Sequence, residues 1–209
     1  MFDVFLTAFA TFFALIGPLD VAAVFLVMTQ NHPPAERNRQ ALRGCLVAAL
    51  ILLVFVFVGE ALLHRFGISL AAFRIGGGIL LLLIGIEMVF ARISGGTGTT
   101  EEETAEAVAR EDIAIFPLAT PLLAGPGAMG ATILLSAEAS GDELHLALVI
   151  AAILLNLVIA YLLMRIAGPL SKFIGVTGGH VIARMMGILL VALGAQFMLD
   201  GVKGSGILG

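Results

Sequence analysis

The stretch IAIFPLATPLLAGPGAMGATILLS, residues 113–136, decides the fold. Its 24 residues carry no charge, and about 20 mainly apolar residues are enough to cross the hydrocarbon core of a bilayer. Pro117, Pro121 and Pro126 interrupt it, and a proline inside a helix removes a backbone hydrogen bond and clashes with the preceding turn. In lipid, the freed backbone groups need partners in protein or in a wet cavity. The stretch therefore predicts an interrupted membrane-spanning helix inside a larger bundle.

The composition of the whole chain places it in the membrane class. Of its 209 residues, 60% are apolar, 25 are glycine and only 12% are charged, whereas a soluble domain carries roughly 25% charged residues. A soluble core of this size could not cover so much apolar surface. The composition excludes a cytosolic enzyme, a secreted disulfide scaffold and a nucleic-acid-binding protein. Because the sequence also lacks a nucleophile elbow, a phosphate loop and a zinc motif, we expect no enzymatic activity, cofactor or metal.

Six stretches are long and apolar enough to span a bilayer: 4–28, 41–63, 69–91, 113–136, 144–166 and 180–201. They predict an all-α membrane protein in which residues 1–209 form a single membrane domain. The one long connection, 92–112, is rich in glycine, threonine and glutamate, and we interpret it as a solvated acidic loop on the cytoplasmic side.

The positions of lysine and arginine predict the orientation, because cationic loops resist translocation. One side of the six-span arrangement has three of these residues, Arg65, Arg74 and Lys203. The opposite side has eight, namely Arg37, Arg39, Arg43, Arg92, Arg110, Arg165, Lys172 and Arg184. The side with eight should be cytoplasmic, which places both termini in the periplasm or outside the cell.

The two halves of the chain resemble each other. Motifs at 17–18, 66–69 and 78–81 recur in the same order at 125–126, 174–177 and 187–190, at offsets of 108 or 109 residues. Each half, 1–91 and 113–209, has three spans, so the second must enter the membrane from the opposite side. This predicts two inverted repeats, which occur in several secondary transporters. A duplicated bundle without a transport role is the alternative.

The first and fourth spans are interrupted at matching positions, by Gly17-Pro18 and by Gly125-Pro126-Gly127. If each helix restarts after its proline, the amides of residues 19–21 and 127–129 face the midplane from opposite sides. Helix N-termini carry partial positive charge and favour anionic groups such as carboxylates. Paired interruptions of this kind are typical of a transporter binding site, although two simple proline kinks would have the same sequence.

Asp20 follows Pro18 by two residues and lies far from either end of the predicted span. A carboxylate there costs about 2.5–3.5 kcal/mol to insert, so it should be paired, protonated or in contact with water. It could bind a substrate ammonium or a coupling cation, carry a proton, or cap the restarted half-helix. Thr120 and Asn156 are further candidate polar contacts, as are Thr11 and Thr132, although local or interhelical hydrogen bonds explain such residues equally well.

Arg74 and Glu87 lie in the third span, the helix that the repeat relates to the sixth. Each could reach headgroups or water from near the end of the span. An internal ion pair or a gating role is the other interpretation of both residues. The glycines of the third and sixth spans predict close helix approach, which is compatible with a homo-oligomer.

On these residues the chain resembles the MarC family of bacterial inner-membrane proteins. The resemblance is strongest in the segments 13–18, 73–78, 117–127, 184–187 and 196–198. It differs where the family has Asn-Pro-x-Gly and this chain has Gly17-Pro18-Leu19-Asp20. The resemblance implies a six-helix protein of the inner membrane, with small neutral amino acids as the substrate class.

The leading hypothesis is an alternating-access transporter of small zwitterions, coupled to H⁺ or Na⁺. Asp20 would pair with charge, and the backbone around Gly17-Pro18 and Gly125-Pro126-Gly127 would bind the carboxylate. Export of other small metabolites or drugs is one alternative. A membrane interaction protein, whose partner docks on 92–112 or on other loops, is another.

Overall fold

The computed structural model describes residues 2–90, 112–139 and 141–206, with backbone alone for 168–180, 182 and 183. These residues form helices and connecting turns, without a strand. Apart from Asp112, the predicted acidic loop lies outside them. The helices are α1 (Phe2–Ile16), α2 (Pro18–Met28), α3 (Pro34–Arg65), α4 (Leu70–Phe90), α5 (Ala114–Leu123), α6 (Pro126–Glu138), α7 (Glu143–Arg165) and α8 (Ala167–Gly204).

The described chain has five helical segments long and apolar enough to cross a membrane, or six if α5 and α6, bent by 57°, count as one span. The pair α1–α2 is one of the five, as Phe2–Met28. The prediction of an all-helical, multi-pass membrane protein is therefore confirmed.

Two helices are longer than the apolar stretches that predicted them. Helix α3 begins at Pro34 rather than at residue 41, and α8 begins at Ala167 rather than at residue 180. Hydropathy detects only the strongly apolar part of a helix, and in both helices more polar or small residues precede that part. Pro169 does not prevent the early start, because the first turn of a helix tolerates proline. The motif at 174–177 consequently lies within a helix, whereas its partner at 66–69 forms the α3–α4 turn.

Helices α4 and α8 pack along each other in antiparallel directions through glycines. A Cβ added to Gly78 would lie 2.6 Å from the carbonyl oxygen of Gly194, and one added to Gly194 would lie 2.6 Å from that of Gly78. Gly85 and Gly187 have the same reciprocal relation, at 2.7 and 2.8 Å. The two backbones therefore touch without side chains between them, as small residues allow in membranes.

The remaining helices enclose a core of buried apolar side chains. Helix α3 runs parallel to α5 and α6, since Gly44 faces Leu118 and Gly59 faces Ile133. Helix α4 runs antiparallel to α6, and α7 packs on α1, α2 and α3. Phe12, Phe25, Leu52, Leu118 and Ile153 are among the fully buried side chains.

Candidate functional site

The first interruption is a single residue. Gly17 separates α1 from α2 with φ 56° and ψ 59°, in the left-handed region, which glycine enters without the Cβ clash that other residues meet. Pro18 then opens α2, where its fixed φ suits the first helical position. The predicted break between Gly17 and Pro18 is present. The helix does not bend sharply there, since Phe2–Met28 still forms one span.

The second interruption is longer. Phe116 and Thr120, which precede Pro117 and Pro121, both have extended backbone near φ −130° and ψ 125°, because proline disfavours the α region for the residue before it. An i→i+5 hydrogen bond spans each of these residues, from the Leu118 amide to the Ile113 carbonyl (3.1 Å) and from the Ala124 amide to the Ala119 carbonyl (2.8 Å). The α5 segment is therefore not a regular helix, because its backbone is extended at two points.

Helix α6 restarts as α2 does. Gly125 is its extended N-cap residue and Pro126 is its first helical residue. A Cβ on Gly125 would lie 2.6 Å from the Pro121 carbonyl oxygen, so the chain at this bend has no room for a side chain. The predicted restart at Gly125-Pro126 is present.

The two interruptions come together in the bundle. A Cβ on Gly127, at the start of α6, would lie 3.0 Å from Cδ2 of Leu15, two residues before Gly17. The first intrahelical bonds join the Val21 amide to the Gly17 carbonyl (2.9 Å) and the Met129 amide to the Gly125 carbonyl (3.0 Å). The amides that precede these bonds lie at helix N-termini and suit an anion.

Asp20 lies in the first turn of α2, where a negative charge is favourable. The N-cap residue is Gly17 rather than Asp20, so the capping interpretation of Asp20 is wrong. The Asp20 side chain folds back over Gly17, and its Oδ2 would be 3.3 Å from a Cβ there. Asp20 is exposed, as are Ala23 and Val27 at helical spacing on α2. It is therefore accessible rather than part of the packed core.

The three threonine candidates form hydrogen bonds within their own helices. Thr11 and Thr132, both fully buried, donate to the carbonyls of Thr7 and Ala128 four residues earlier, each at 2.8 Å. Thr120 donates to the Ile115 carbonyl at 3.3 Å. In lipid such bonds satisfy the hydroxyl locally. The three hydroxyls therefore form the local hydrogen bonds that the sequence offered as the alternative to substrate binding.

Asn156 joins two helices away from the interruptions. Its fully buried Nδ2 donates to the Phe9 carbonyl of α1 at 3.2 Å and to the Ala152 carbonyl at 2.9 Å. Phe9 is eight residues before Gly17, about 12 Å along a helix axis. The structure thus does not place Asn156 at the Gly17 break. Its Oδ1 is buried and has no hydrogen-bond partner in the described parts of the chain.

Asn156→Leu should change the stability of the protein by less than about 1 kcal/mol. The substitution removes an interhelical hydrogen bond worth about 0.6 kcal/mol on average in a membrane protein, and it also removes an unpaired buried oxygen. Thermal unfolding in detergent checks this, with Asn156→Ala as the comparison that also leaves a cavity. A loss from Asn156→Leu as large as that from Asn156→Ala would contradict it.

Arg74 forms an interhelical ion pair, one of the two roles that its sequence position suggested, with a partner that the sequence did not indicate. Its Nη2 lies 3.1 Å from Oε1 of Glu138 at the end of α6. Asp200 of α8 and His145 of α7 also interact electrostatically with Glu138, and Gln196 donates to both carboxylate oxygens of Asp200 at 3.0 Å. Glu138 lies two residues beyond the predicted span, so hydropathy did not draw attention to it.

Glu87 is not the partner of Arg74. The two residues are 13 positions apart on α4, about 20 Å along the helix axis. Glu87 lies one turn after Ile84, whose Cδ1 would be 2.9 Å from a Cβ on Gly127. Its Oε2 is buried, without a hydrogen-bond partner among the residues that the structure covers.

The candidate residues therefore lie in several separate places, with Glu87 on α4 near Ile84. Gly17, Pro18 and Asp20 lie at one interruption, and Thr120, Gly125, Pro126 and Gly127 lie along the other, which it meets through Leu15. Asn156 lies apart, and Arg74 lies in an ion-pair cluster at the far end of α6. In ranges 2–90, 112–139 and 141–206, no group of three or more His, Cys, Asp or Glu residues could hold a metal ion.

Comparison with known proteins agrees with this architecture. The family described as MarC family integral membrane protein matches residues 2–205. The UPF0056 membrane protein MJ1677 of Methanocaldococcus jannaschii is 42% identical, over 96% of this chain and 97% of its own length. The UPF0056 membrane protein YhcE of Escherichia coli K12 is 38% identical, over 97% of this chain and 94% of its own length.

A third relative, the UPF0056 inner membrane protein MarC of Salmonella paratyphi A, is 34% identical over 90% of this chain and 89% of its own length. No solved structure matches. The family match covers both interruptions and nearly all of the described helices, so the resemblance seen in the sequence is confirmed: the chain belongs to the MarC family of integral membrane proteins.

Proposed function

We propose that the protein is an alternating-access transporter of small neutral amino acids or similar zwitterions, coupled to H⁺ or Na⁺. One observation carries the proposal: two membrane spans restart at prolines, and their interruptions meet through Leu15 and Gly127. Irregular backbone at membrane depth is stable only where protein or a cavity satisfies it. Discontinuous spans at matching positions of two halves are typical of transporter binding sites.

The reciprocal α4–α8 contacts support the inverted repeat. Shifting Gly78 and Gly194 by the repeat offset of 109 residues gives Gly187 and Gly85, which are also in contact. The packing of whole helices has the same symmetry. In the first half, α1 and α2 pack on α7, and in the second half α5 and α6 pack on α3 in the same way. The contact between α4 and α6 likewise has a counterpart in the contact between α8 and α2. A two-fold axis in the membrane plane would generate this pattern.

An inverted repeat gives the mechanism of alternating access. Each half can adopt the conformation that the other half has, so exchanging the two conformations exposes the central site to the opposite side. In this proposal the two interruptions form that site. The α2 and α6 amides bind the substrate carboxylate, and Asp20 binds its ammonium group or a coupling proton.

The proposal also assigns a location. A relative named as an inner membrane protein supports the inner membrane for this chain. The lysine and arginine distribution supports termini on the outer side. The Arg74–Glu138 end of the bundle, where α4 begins and α8 ends, would then face outward.

Counterflow of labelled glycine and alanine in proteoliposomes tests the proposal, with H⁺ and Na⁺ gradients imposed in turn. Wild-type protein should exchange both amino acids saturably, and one of the gradients should accelerate accumulation. Asp20→Asn should lower the exchange rate about tenfold, the loss expected when one charge-assisted contact of about 1.4 kcal/mol is removed.

Asp3→Asn is the matched control. Asp3 is also an exposed aspartate in the first turn of a helix, but it lies at the start of α1 rather than at an interruption. It should leave exchange unchanged. Absence of glycine and alanine exchange from folded wild-type protein would overturn the amino-acid proposal, and equal losses in both variants would remove Asp20 from it.

A further inference from the structure

We infer that Arg74 and Glu138 form a second zwitterion-binding site, at the end of the bundle remote from the interruptions. The inference rests on the proposed transport of zwitterions. A substrate would bind by partner exchange: its carboxylate replaces Glu138 on Arg74, and its ammonium group replaces Arg74 on Glu138. No covalent bond changes, and every charge is paired before and after the exchange.

The ion pair is sheltered but reachable. The side chain of Arg74 is 23% exposed and that of Glu138 is 28% exposed, so neither is sealed in the core nor free in solvent. Gly204 faces the guanidinium, since a Cβ there would lie 3.8 Å from Arg74 Nη1. The small residue leaves space beside the group that would bind the incoming carboxylate.

The guanidinium has unused capacity for an anion. The ion pair with Glu138 is formed through Nη2, at 3.1 Å, while Nε of Arg74 is buried and has no hydrogen-bond partner within the described chain. A guanidinium binds carboxylates best through two parallel N–H groups. A substrate carboxylate can therefore form a bidentate contact with Nε and Nη2 that Glu138 does not form here.

Glu138 has charged neighbours on two further helices. Asp200 of α8 and His145 of α7 both interact electrostatically with Glu138, so a second carboxylate lies near the one that pairs with Arg74. When a substrate binds to Arg74, its ammonium group meets a site with the negative charge of Glu138 and Asp200. Gln196 holds Asp200 in place through its two hydrogen bonds.

A cavity of about 410 Å³ opens at the same end of the bundle, and neither Arg74 nor Glu138 lines it. Leu70, one turn before Arg74, and Ala137, directly before Glu138, line it, as do the polar residues Glu60, His64 and Ser69. Glycine or alanine would fit into this volume with water to spare, since drug-sized ligands occupy pockets of roughly 300–1,000 Å³. A small ligand held there would be one helical turn from Arg74 and one residue from Glu138 along the chain.

Partner exchange selects for zwitterions. A ligand with one charge can neutralise Arg74 or Glu138 but not both, and it leaves the other charge unpaired in a half-buried site, which is unfavourable. Acetate and ethylamine, each carrying one of the charged groups of glycine, should therefore inhibit glycine exchange weakly in the wild-type protein.

Inhibition of glycine counterflow by acetate and by ethylamine tests the site in Arg74→Gln and Glu138→Gln variants. Each variant should raise KM for glycine at least about tenfold. Glu138→Gln should make acetate the better inhibitor, because Arg74 is then free to bind it. Arg74→Gln should make ethylamine the better inhibitor. A purely structural ion pair would not shift the two inhibitors in opposite directions.

Two further variants cover the case in which a single substitution fails to fold. Asp200→Asn leaves the ion pair intact and should weaken inhibition by ethylamine alone. The double variant Arg74→Gln/Glu138→Gln, which keeps a neutral hydrogen-bonding pair, should bind glycine weakly and neither inhibitor preferentially. If both variants fold, exchange glycine, and keep the wild-type KM and inhibition, the second site is overturned. If the wild-type protein does not exchange glycine at all, the proposed function itself is overturned.

Discussion

Gly78→Ala should destabilise the folded bundle by about 1–3 kcal/mol, the usual cost of overpacking a tight contact. The new Cβ would lie 2.6 Å from the Gly194 carbonyl oxygen and 2.7 Å from Met198 Cγ. A methyl group has no rotamer that avoids a backbone atom, so α4 and α8 must separate. Gly78→Leu, which adds three more carbons at the same point, should leave no folded protein.

Thermal unfolding in detergent, followed by size-exclusion chromatography, measures this effect. Gly76→Ala is the control two residues earlier on α4, where a Cβ would meet none of the described heavy atoms within 4 Å. It should be neutral or stabilising by about 0.5–1 kcal/mol, since alanine suits a helix better than glycine. Gly194→Ala should destabilise the protein about as much as Gly78→Ala. The double variant should lose less stability than the sum of the two single losses, because both substitutions act on one contact.

Equal stabilities of Gly78→Ala and Gly76→Ala would contradict the backbone contact between α4 and α8. Fully additive stability losses from Gly78→Ala and Gly194→Ala would contradict it as well, because the effects of two substitutions add only when the sites are independent.

Gly17→Val should destabilise the protein by more than about 1–2 kcal/mol, the cost of placing a residue with a Cβ in the left-handed region. The backbone at φ 56° and ψ 59° cannot relax without moving the start of α2. A β-branched side chain at this position also meets Asp20, whose Oδ2 is 3.3 Å from the Cβ position. Both the folded yield and glycine exchange should fall.

Asparagine at the same position separates the two causes. It enters the left-handed region more readily than valine. Gly17→Asn should therefore lose stability mainly because its side chain is crowded by Asp20. In an Asp20→Gly background that crowding is absent, and the cost of Gly17→Asn should become smaller. The double variant has the Asn-Pro-x-Gly pattern that the family resemblance led us to expect here.

A double-mutant cycle on unfolding free energies measures the coupling, with a favourable interaction expected between the two changes. Zero coupling would mean that residues 17 and 20 do not share space. Valine and asparagine variants of equal stability would mean that the left-handed conformation is not the main constraint at Gly17.

The positions of both interruptions could be predicted from the sequence, because proline and glycine act locally. Pro18 and Pro126 cannot continue a preceding helix, and each begins a new one. The irregular backbone of α5 was not predicted in detail. Phe116 and Thr120 are extended at a four-residue interval, a geometry that neither hydropathy nor a single proline specifies.

The partner of Arg74 could not be predicted, because it depends on how α6 is rotated against α4. Several carboxylates, including Glu60, Glu87 and Asp200, were available to Arg74 by their position near span ends. Only the packing of Gly127 against Ile84 fixes the register that brings Glu138 to Arg74. The exposure of Asp20 has the same origin, since the sequence gives its depth but not the face of α2 on which it lies.

The glycine contact between α4 and α8 also bears on motion. A slide of α4 along α8 by one turn would bring Leu81 to the position of Gly85 or, in the other direction, Leu82 to that of Gly78, and these positions have no room for a Cβ. The glycine contact therefore fixes the register of the two helices and opposes shear between them. If the pair lies on the two-fold axis of the proposed repeat, α4 and α8 move as one unit, and the change that opens the protein to the opposite side is a rotation of the other helices around this unit.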